Sequence, residues 1–182
     1  FRVGQHAARA SAFPRTLGHR ELSFGRALPF FQKGRIINLI KGKDGRIMKV
    51  YAGIDVGGTK TAIGVFGEDK TLLGKAKFPS DPSLGAEEFF QQTAGRLRKL
   101  LEELSLPETD LAGIGVGLPC MVRWPEGEAV LCAMLPALSG FGVKACLEGL
   151  FPGAAVAVDN DAHCAALAES RHGAGQGRRH ML

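Results

Sequence analysis

The chain has few of the features that mark secreted or membrane proteins. Its 182 residues include four cysteines and no C-x-x-C pair, which argues against a disulfide framework. The longest apolar run of the first 47 residues, Ile36-Ile37-Asn38-Leu39-Ile40, is far shorter than the roughly 20 residues that cross a bilayer. No secretory signal is recognisable. We therefore expect a cytoplasmic protein whose cysteines are reduced and mostly buried.

Two common nucleotide-binding patterns are also absent. The sequence contains no G-x-x-x-x-G-K-[ST], and its Gly57-Gly58 pair does not open a helix as a dinucleotide loop requires. His163 and Cys164 lie beside aspartates, but no second group of ligands follows them in the sequence. No cluster of metal-ligating side chains is therefore predicted at this position.

A hairpin with a glycine turn is the first feature that carries chemistry. Apolar segments 50–54 and 61–66 read as strands on either side of Asp55-Val56-Gly57-Gly58-Thr59-Lys60. The two glycines predict a tight turn with positive φ, whose backbone N–H groups can approach a phosphate. Thr59 and Lys60 add a hydroxyl and a cation. An ordinary turn beside a chance aspartate is the alternative that this segment leaves open.

A second polar segment, Asp159-Asn160-Asp161, ends the apolar segment 155–158 and runs directly into a helical sequence. Carboxylates at the C-terminal ends of strands occupy the edge where open α/β sheets bind ligands. The alternative is that Asn160 or Asp161 only caps the following helix.

The remaining pattern predicts an α/β fold in the order strand, strand, strand, helix, strand, helix, strand, helix. The third strand covers 71–78 and the fourth 111–116, while segment 121–128 reads as an exposed loop without chemistry. Apolar residues repeat at helical spacing in two segments. They are Phe90, Ala94, Leu97, Leu101 and Leu104 in the first helix, and Val143, Leu147 and Leu150 in the second.

Taken in order, these motifs resemble the ROK family of bacterial sugar kinases, sugar-responsive repressors and uncharacterised reading frames. Segment 55–60 is similar to the family's first phosphate motif, and Asn160-Asp161-Ala162 to its sugar-binding and catalytic motif. Segment 113–119 is similar to the family's apolar strand that ends in a Gly/Pro loop, and segment 135–140 to the loop beside the sugar. The resemblance covers residues 48 to 182.

The resemblance implies an actin-like ATPase (ribonuclease H-like) lobe with a mixed sheet flanked by helices, and phosphorylation of a hexose, glucose or N-acetylglucosamine, with ATP and Mg²⁺. It implies Asp161 as catalytic base, with Asn160, Asp161, Gly117 and Pro119 binding the sugar. It also implies that the phosphates and their Mg²⁺ lie against Asp55, Gly57, Gly58, Thr59 and Lys60.

The chain also departs from the family pattern. The family commonly has Asn where His163 stands, and often Pro-Gly near Pro119-Cys120. We expect residues 48–182 to be the N-terminal lobe alone, and a C-terminal lobe, absent from the sequence, to carry the second phosphate loop, the adenosine site and any zinc. Expected partners are a small-molecule sugar and, in the full-length form, a second copy; no membrane contact is expected.

Residues 1–47 differ in charge from the rest of the chain. They hold ten Lys or Arg and two acidic residues, whereas the remainder has 13 basic and 16 acidic residues. We expect the natural start at Met48 and a non-native leader before it, with a transit peptide and a truncated DNA-binding arm as alternatives. Nucleic-acid binding is not expected, because the net positive charge of the chain comes wholly from the leader.

Two other functions stay open at this stage. A sugar-responsive repressor of the same family would share the fold and the sugar motif but would need a DNA-binding module. A catalytically silent, sugar-binding fragment would contain every motif quoted above.

Overall fold

The computed structural model describes residues 49–178. The expected leader, Met48 and the last four residues lie outside this range. The strands are β1 Val50–Val56, β2 Lys60–Gly67, β3 Leu72–Pro79, β4 Leu111–Leu118, β5 Met121–Arg123, β6 Glu128–Leu131, β7 Phe141–Gly142 and β8 Ala155–Asn160. The α-helices are α1 Ala86–Glu103, α2 Val143–Leu150 and α3 Asp161–His172.

Five strands form the main sheet in the order β3-β2-β1-β4-β8. The neighbouring pairs β1–β2 and β2–β3 are antiparallel, whereas β1, β4 and β8 run parallel. Parallel strands need helical crossovers, which α1 and α2 supply. The predicted mixed sheet and the order of its main elements are confirmed, and the C-terminal ends of β1, β4 and β8 meet at one edge.

Alternation along β1 separates the two faces of the main sheet. Val50, Ile54 and Val56 are buried toward α1 and α2, whereas Tyr51 and Asp55 lie on the opposite, exposed face. Side chains alternate across a strand, so Asp55 is held on the exposed face by its buried neighbours.

Helix α1 covers the buried face of the sheet. All five residues of its predicted apolar stripe are at most 7% exposed, which confirms the pattern. Phe90, within that stripe, stacks on Phe141 with ring centroids 5.9 Å apart. Arg98 joins α1 to the segment after α2, because its Nη2 donates to the Leu150 carbonyl at 2.6 Å and its guanidinium lies over the Phe151 ring. This packing holds the strand ends in place.

Segment 121–128 is not the simple loop that the sequence predicts. It contains β5 and the turn into β6, and these strands form a second sheet, β5-β6-β7. Strands of three, four and two residues are too short to show a sequence period. Trp124, at the turn, is 75% exposed. Within 49–178, no helix is long and apolar enough to cross a membrane.

Candidate functional site

Two aspartates lie on either side of a glycine in one row across the parallel strands. Asp55 of β1 pairs in register with Gly117 of β4, and Gly117 pairs with Asp159 of β8. Neighbouring strands lie about 4.8 Å apart, so the two aspartate backbones are about 10 Å apart. The two polar segments that the sequence singles out are therefore brought together at one sheet edge.

Gly117 keeps the space between these aspartates open. A Cβ at this position would touch the Asp161 Cα at 3.5 Å and the Cys164 Sγ at 3.8 Å. Those are ordinary contact distances, so a side chain here would fill the gap without a severe clash. The first turn of α3 therefore lies directly above the centre of the row.

A cavity of about 650 Å³ opens at this edge. Its volume falls within the range of about 300–1,000 Å³ that is usual for small-molecule sites. The polar side chains that line it include Asp55, Asp159, Asp161 and His163, and Trp124 contributes an aromatic wall. The site thus offers three carboxylates and one imidazole around a space large enough for a monosaccharide.

The turn between β1 and β2 depends on glycine for a different reason from the one predicted. Among the described glycines, positive φ occurs only at Gly127, Gly140 and Gly177, so the prediction for Gly57 and Gly58 is wrong. Instead, a Cβ on Gly57 would lie 2.8 Å from the Lys60 carbonyl oxygen, and one on Gly58 would lie 2.9 Å from the Met134 Cβ. Close approach of neighbouring atoms, not an unusual backbone angle, requires these glycines.

The Gly57 N–H is already used within the turn, where it donates to the Lys60 carbonyl at 3.0 Å. This N–H therefore cannot point at a phosphate in the described conformation. The side chains of Thr59 and Lys60 are exposed at the start of β2. They remain the candidate donors to an anion at this turn.

Ser80 anchors the turn between β1 and β2, and the sequence did not indicate this role. Its hydroxyl donates to the Gly57 carbonyl at 2.7 Å and lies 2.8 Å from the Thr61 hydroxyl. Its N–H donates to the Thr59 carbonyl at 3.0 Å. Ser80 is only 7% exposed. A single serine after β3 belongs to no motif, so only the β2–β3 pairing could have indicated it.

Asn160 joins two segments of the site through its side-chain amide. Its Oδ1 accepts from the Ala162 and His163 N–H groups at 2.9 and 3.2 Å, which makes it the N-cap of α3. Its Nδ2 donates to the Cys120 carbonyl at 3.1 Å. The capping role that the sequence left open is thus present. The same amide also fixes the loop that follows β4, where Pro119 lies.

The two aspartates beside Asn160 differ in their partners. Asp159 Oδ1 accepts from the Asn160 N–H at 2.7 Å and lies 3.1 Å from the His163 Nδ1. Asp161 Oδ1 accepts from the Ala162 N–H at 2.8 Å. Within the described residues, Oδ2 makes no hydrogen bond in either aspartate, so the two differ at Oδ1, which has two partners in Asp159 and one in Asp161. Asp161 therefore has the less committed carboxylate of the two.

The pKa of the Cys164 thiol reflects the carboxylates around the cavity. Burial raises the pKa of its thiol, and the carboxylates of Asp159, Asp161 and Asp55 raise that pKa further. A thiol that senses all three carboxylates lies where their fields overlap. In the described part of the chain, no three acidic, histidine or cysteine side chains are grouped so as to hold a metal by themselves.

Comparisons with known proteins identify relatives of this chain. The model of the ROK family matches residues 51–182. A kanosamine kinase from Amycolatopsis mediterranei is 36% identical over 121 residues, which is 66% of this chain and 38% of that protein. An N-acetyl-D-glucosamine kinase from Citrobacter koseri is 31% identical over the same shares of the two chains.

A solved structure shows the same architecture. The ROK family glucokinase from Streptomyces griseus, in complex with glucose and AMPPNP, is 28% identical, with a TM-score of 0.60 over 70% of this chain and 38% of that one. The predicted actin-like ATPase fold is thereby confirmed. The chain spans well under half the length of each of these proteins.

Proposed function

The chain belongs to the ROK family, and from that membership we propose that it forms the sugar-binding side of a kinase that transfers phosphate from ATP to a hexose. The observation that carries this proposal is that Asp55, Gly117 and Asp161 line one cavity. The relatives described above are about two and a half times as long as the matched part. We therefore include in the proposal a second lobe that holds the rest of the nucleotide.

The residues at the turn between β1 and β2 fit a Mg²⁺–phosphate group. Asp55 is exposed and lines the cavity, with the exposed Thr59 and Lys60 at the same turn. Mg²⁺ usually keeps several waters and takes only one or two protein carboxylates, which suits a site without a three-ligand cage. When bound, Mg²⁺ neutralises phosphate charge. Asp55 would hold it through water, and Gly57, Gly58 and Thr59 would line the phosphate path.

Asp161 is the residue we assign to proton transfer. A sugar hydroxyl in the cavity would donate to the free carboxylate oxygen and lose its proton there as the new bond forms. The Ala162 N–H fixes the other oxygen at 2.8 Å, which holds the carboxylate in one orientation. A positioned base of this kind typically contributes a factor of about 10²–10⁴ in rate.

Asn160 contributes mainly by orienting Asp161 and the loop that follows β4. The Oδ1 and the Nδ2 of Asn160 both already form hydrogen bonds within the protein. A sugar hydroxyl that contacts Asn160 would therefore share one of these two atoms with its protein partner. Gly117 leaves room for the sugar beside Asp161, and Pro119 shapes the loop after β4. Holding the hydroxyl in one place makes the attack effectively unimolecular.

The substrate class we propose is an aldohexose, with glucose and N-acetylglucosamine first. The named relatives act on kanosamine and N-acetyl-D-glucosamine, and the S. griseus structure contains glucose. All three sugars share a glucose-type ring with a primary hydroxyl, which is the group we assign to the phosphoryl acceptor. A cytoplasmic location accompanies the proposal, since ATP is the donor.

The test separates binding from turnover. The 182-residue chain is titrated with glucose and N-acetylglucosamine by calorimetry. ATP-dependent phosphorylation is then measured for the chain alone and for its fusion to the part of the S. griseus glucokinase that lies beyond the matched region. We expect sugar binding by the chain and turnover by the fusion.

Asp161→Asn should abolish turnover. Asp110→Asn is the matched control and should leave turnover unchanged, because Asp110 lies in a helical turn before β4. Sugar binding without turnover in any form would favour the silent sugar-binding alternative. A folded chain that binds neither sugar would contradict the proposed function.

A further inference from the structure

Cys120 and Cys132 form a pair at the base of the small sheet. In the antiparallel ladder of β5 and β6, Met121 lies opposite Leu131. Cys120 and Cys132 lie immediately beyond this pair, where the ladder ends, so continuing its register would place them opposite each other. Residues directly opposite one another in such a ladder have Cβ atoms about 4.5–5.5 Å apart, and a disulfide needs about 3.5–4.5 Å. The Cys132 thiol is close enough to the Cys120 thiol to raise its pKa.

Both cysteines are bonded through their backbones to the candidate site. The Cys120 carbonyl accepts from the Asn160 Nδ2 at 3.1 Å. The Cys132 N–H donates to the Ser139 Oγ at 3.0 Å, in the loop that follows Pro136–Leu138. A movement of Cys120 therefore reaches Asn160, which the proposed function uses.

From this geometry we infer that Cys120 and Cys132 are a disulfide-forming site, whose oxidation pulls the Cys120 carbonyl away from Asn160 and loosens the cap of α3. Closing the gap between the two Cβ atoms by up to about 1 Å requires the backbone at one of the cysteines to move. We assign this movement to Cys120, which lies in the short connection between β4 and β5.

The oxidant is a small-molecule disulfide such as oxidised glutathione. The thiolate of one cysteine attacks a sulfur of this compound, which forms a mixed disulfide and releases one molecule of thiol. The second cysteine then attacks the protein sulfur of the mixed disulfide and releases the second molecule of thiol. The two protein thiols lose two protons and two electrons, which the small disulfide takes up.

Opening of the β5–β6 hairpin controls access to this pair. The cysteines are 7% and 1% exposed, and burial, followed by the neighbouring Cys132 thiol, raises the pKa of Cys120 to about 12. A buried thiol with a high pKa is a poor nucleophile. The hairpin, however, is short, and its Met121 and Leu131 side chains are 69% and 64% exposed. Short elements with few buried contacts open at low cost, so oxidation would be slow but possible without global unfolding.

The first experiment counts thiols in the full chain after incubation with oxidised glutathione. We expect the wild type to fall from four free thiols to two, with peptide mapping showing a Cys120–Cys132 crosslink. Cys120→Ser and Cys132→Ser should form no internal disulfide, while Cys146→Ser, in α2, should oxidise as the wild type does. Four remaining thiols, or a crosslink that joins another pair, would overturn the inference.

The second experiment measures the coupling to Asn160 by amide hydrogen exchange. The Ala162 and His163 N–H groups, which Asn160 caps, should exchange at least about fivefold faster after oxidation, and dithiothreitol should reverse the change. Unchanged exchange at these amides in a crosslinked protein would overturn the coupling. A loss of sugar affinity on oxidation would rest on the proposed function, whereas the thiol count and the amide exchange do not depend on it.

Discussion

Ser80 and Gly57 are joined across two strands by a 2.7 Å hydrogen bond, in which the serine hydroxyl donates to the glycine carbonyl. The two residues are 23 positions apart in sequence. Through this bond the end of β3 holds the turn that follows β1, and Asp55 lies at the start of that turn. The placement of a candidate phosphate-binding residue thus depends on a strand that does not enter the cavity.

Ser80→Ala should destabilise the protein by about 1–3 kcal/mol. The substitution removes the donor to Gly57 and leaves the fully buried Thr61 hydroxyl without its partner, and an unsatisfied buried polar group costs about this much. Urea-induced unfolding gives the measurement. Ser83→Ala is the matched control, since the Ser83 hydroxyl makes its bond to Asp81 in solvent. Equal losses for the two serines would contradict the assignment.

Gly58→Ala should destabilise the fold by about 1–3 kcal/mol through overpacking. The new methyl group would lie 2.7 Å from the Met134 Cε and 2.9 Å from its Cβ. The flexible end of Met134 can move, but its Cβ cannot move without the backbone. Adding Met134→Ala should recover only part of the loss, and a thermal unfolding series measures both.

The control for this substitution is Gly95→Ala in α1. Gly95 is exposed, and a Cβ there meets nothing within 4 Å. Alanine has the higher helix propensity by about 1 kcal/mol, so this variant should be slightly stabilised. If Gly58→Ala behaved in the same way, the close approach of Met134 would not be the reason for the glycine.

Asn160→Ala and Asn160→Asp should separate the two functions of this amide. Alanine removes both the helix cap and the donor to Cys120, whereas aspartate keeps a capping oxygen and lacks the donor. We expect a loss of about 1–2 kcal/mol for alanine and a smaller one for aspartate. Sugar affinity should fall in both, because each releases the loop after β4. If Asn160→Asp lost as much stability as Asn160→Ala, the hydrogen bond to Cys120 would contribute more to stability than the helix cap does.

The sequence was most informative where the signal is local. The apolar stripe of α1 was predicted residue by residue, because helical spacing decides which side chains share a face. The small sheet was missed, because its strands are too short for any period. The roles of Ser80 and Met134 depend on contacts 23 and 76 positions away, respectively, from the glycines that they hold. Pattern along the chain contains no information about such contacts.

In the candidate site, too, some features were predictable from the sequence and others are visible only in the structure. Motif order and the position of polar residues at strand ends were enough to bring Asp55, Gly117 and Asp161 together. The sequence could not show that Asp159 is bound to both Asn160 and His163, since alternation alone places Asp159 and Asp161 alike. The difference in partners between these two aspartates is what the structure adds.

Asp161, not Asp159, should therefore be the catalytic base. In the fusion that phosphorylates sugar, Asp161→Asn should lower kcat by about 10²–10⁴. Asp159→Asn should change kcat less, because the Asp159 carboxylate is already paired with His163 and bonded to the Asn160 N–H. Its main effect should be on KM, through the orientation of the first turn of α3.

Steady-state kinetics of the two variants, with unfolding midpoints measured beside them, decide the assignment. Both substitutions are isosteric, so any difference in kcat between equally stable variants reflects the charge that each carboxylate carries. His163→Ala serves as the matched control for Asp159, since it removes the partner and leaves the carboxylate. It should resemble Asp159→Asn in KM if the pair acts by positioning. A larger fall in kcat at Asp159 than at Asp161 would assign the base to Asp159, because the residue that takes the proton must show the larger effect on the chemical step.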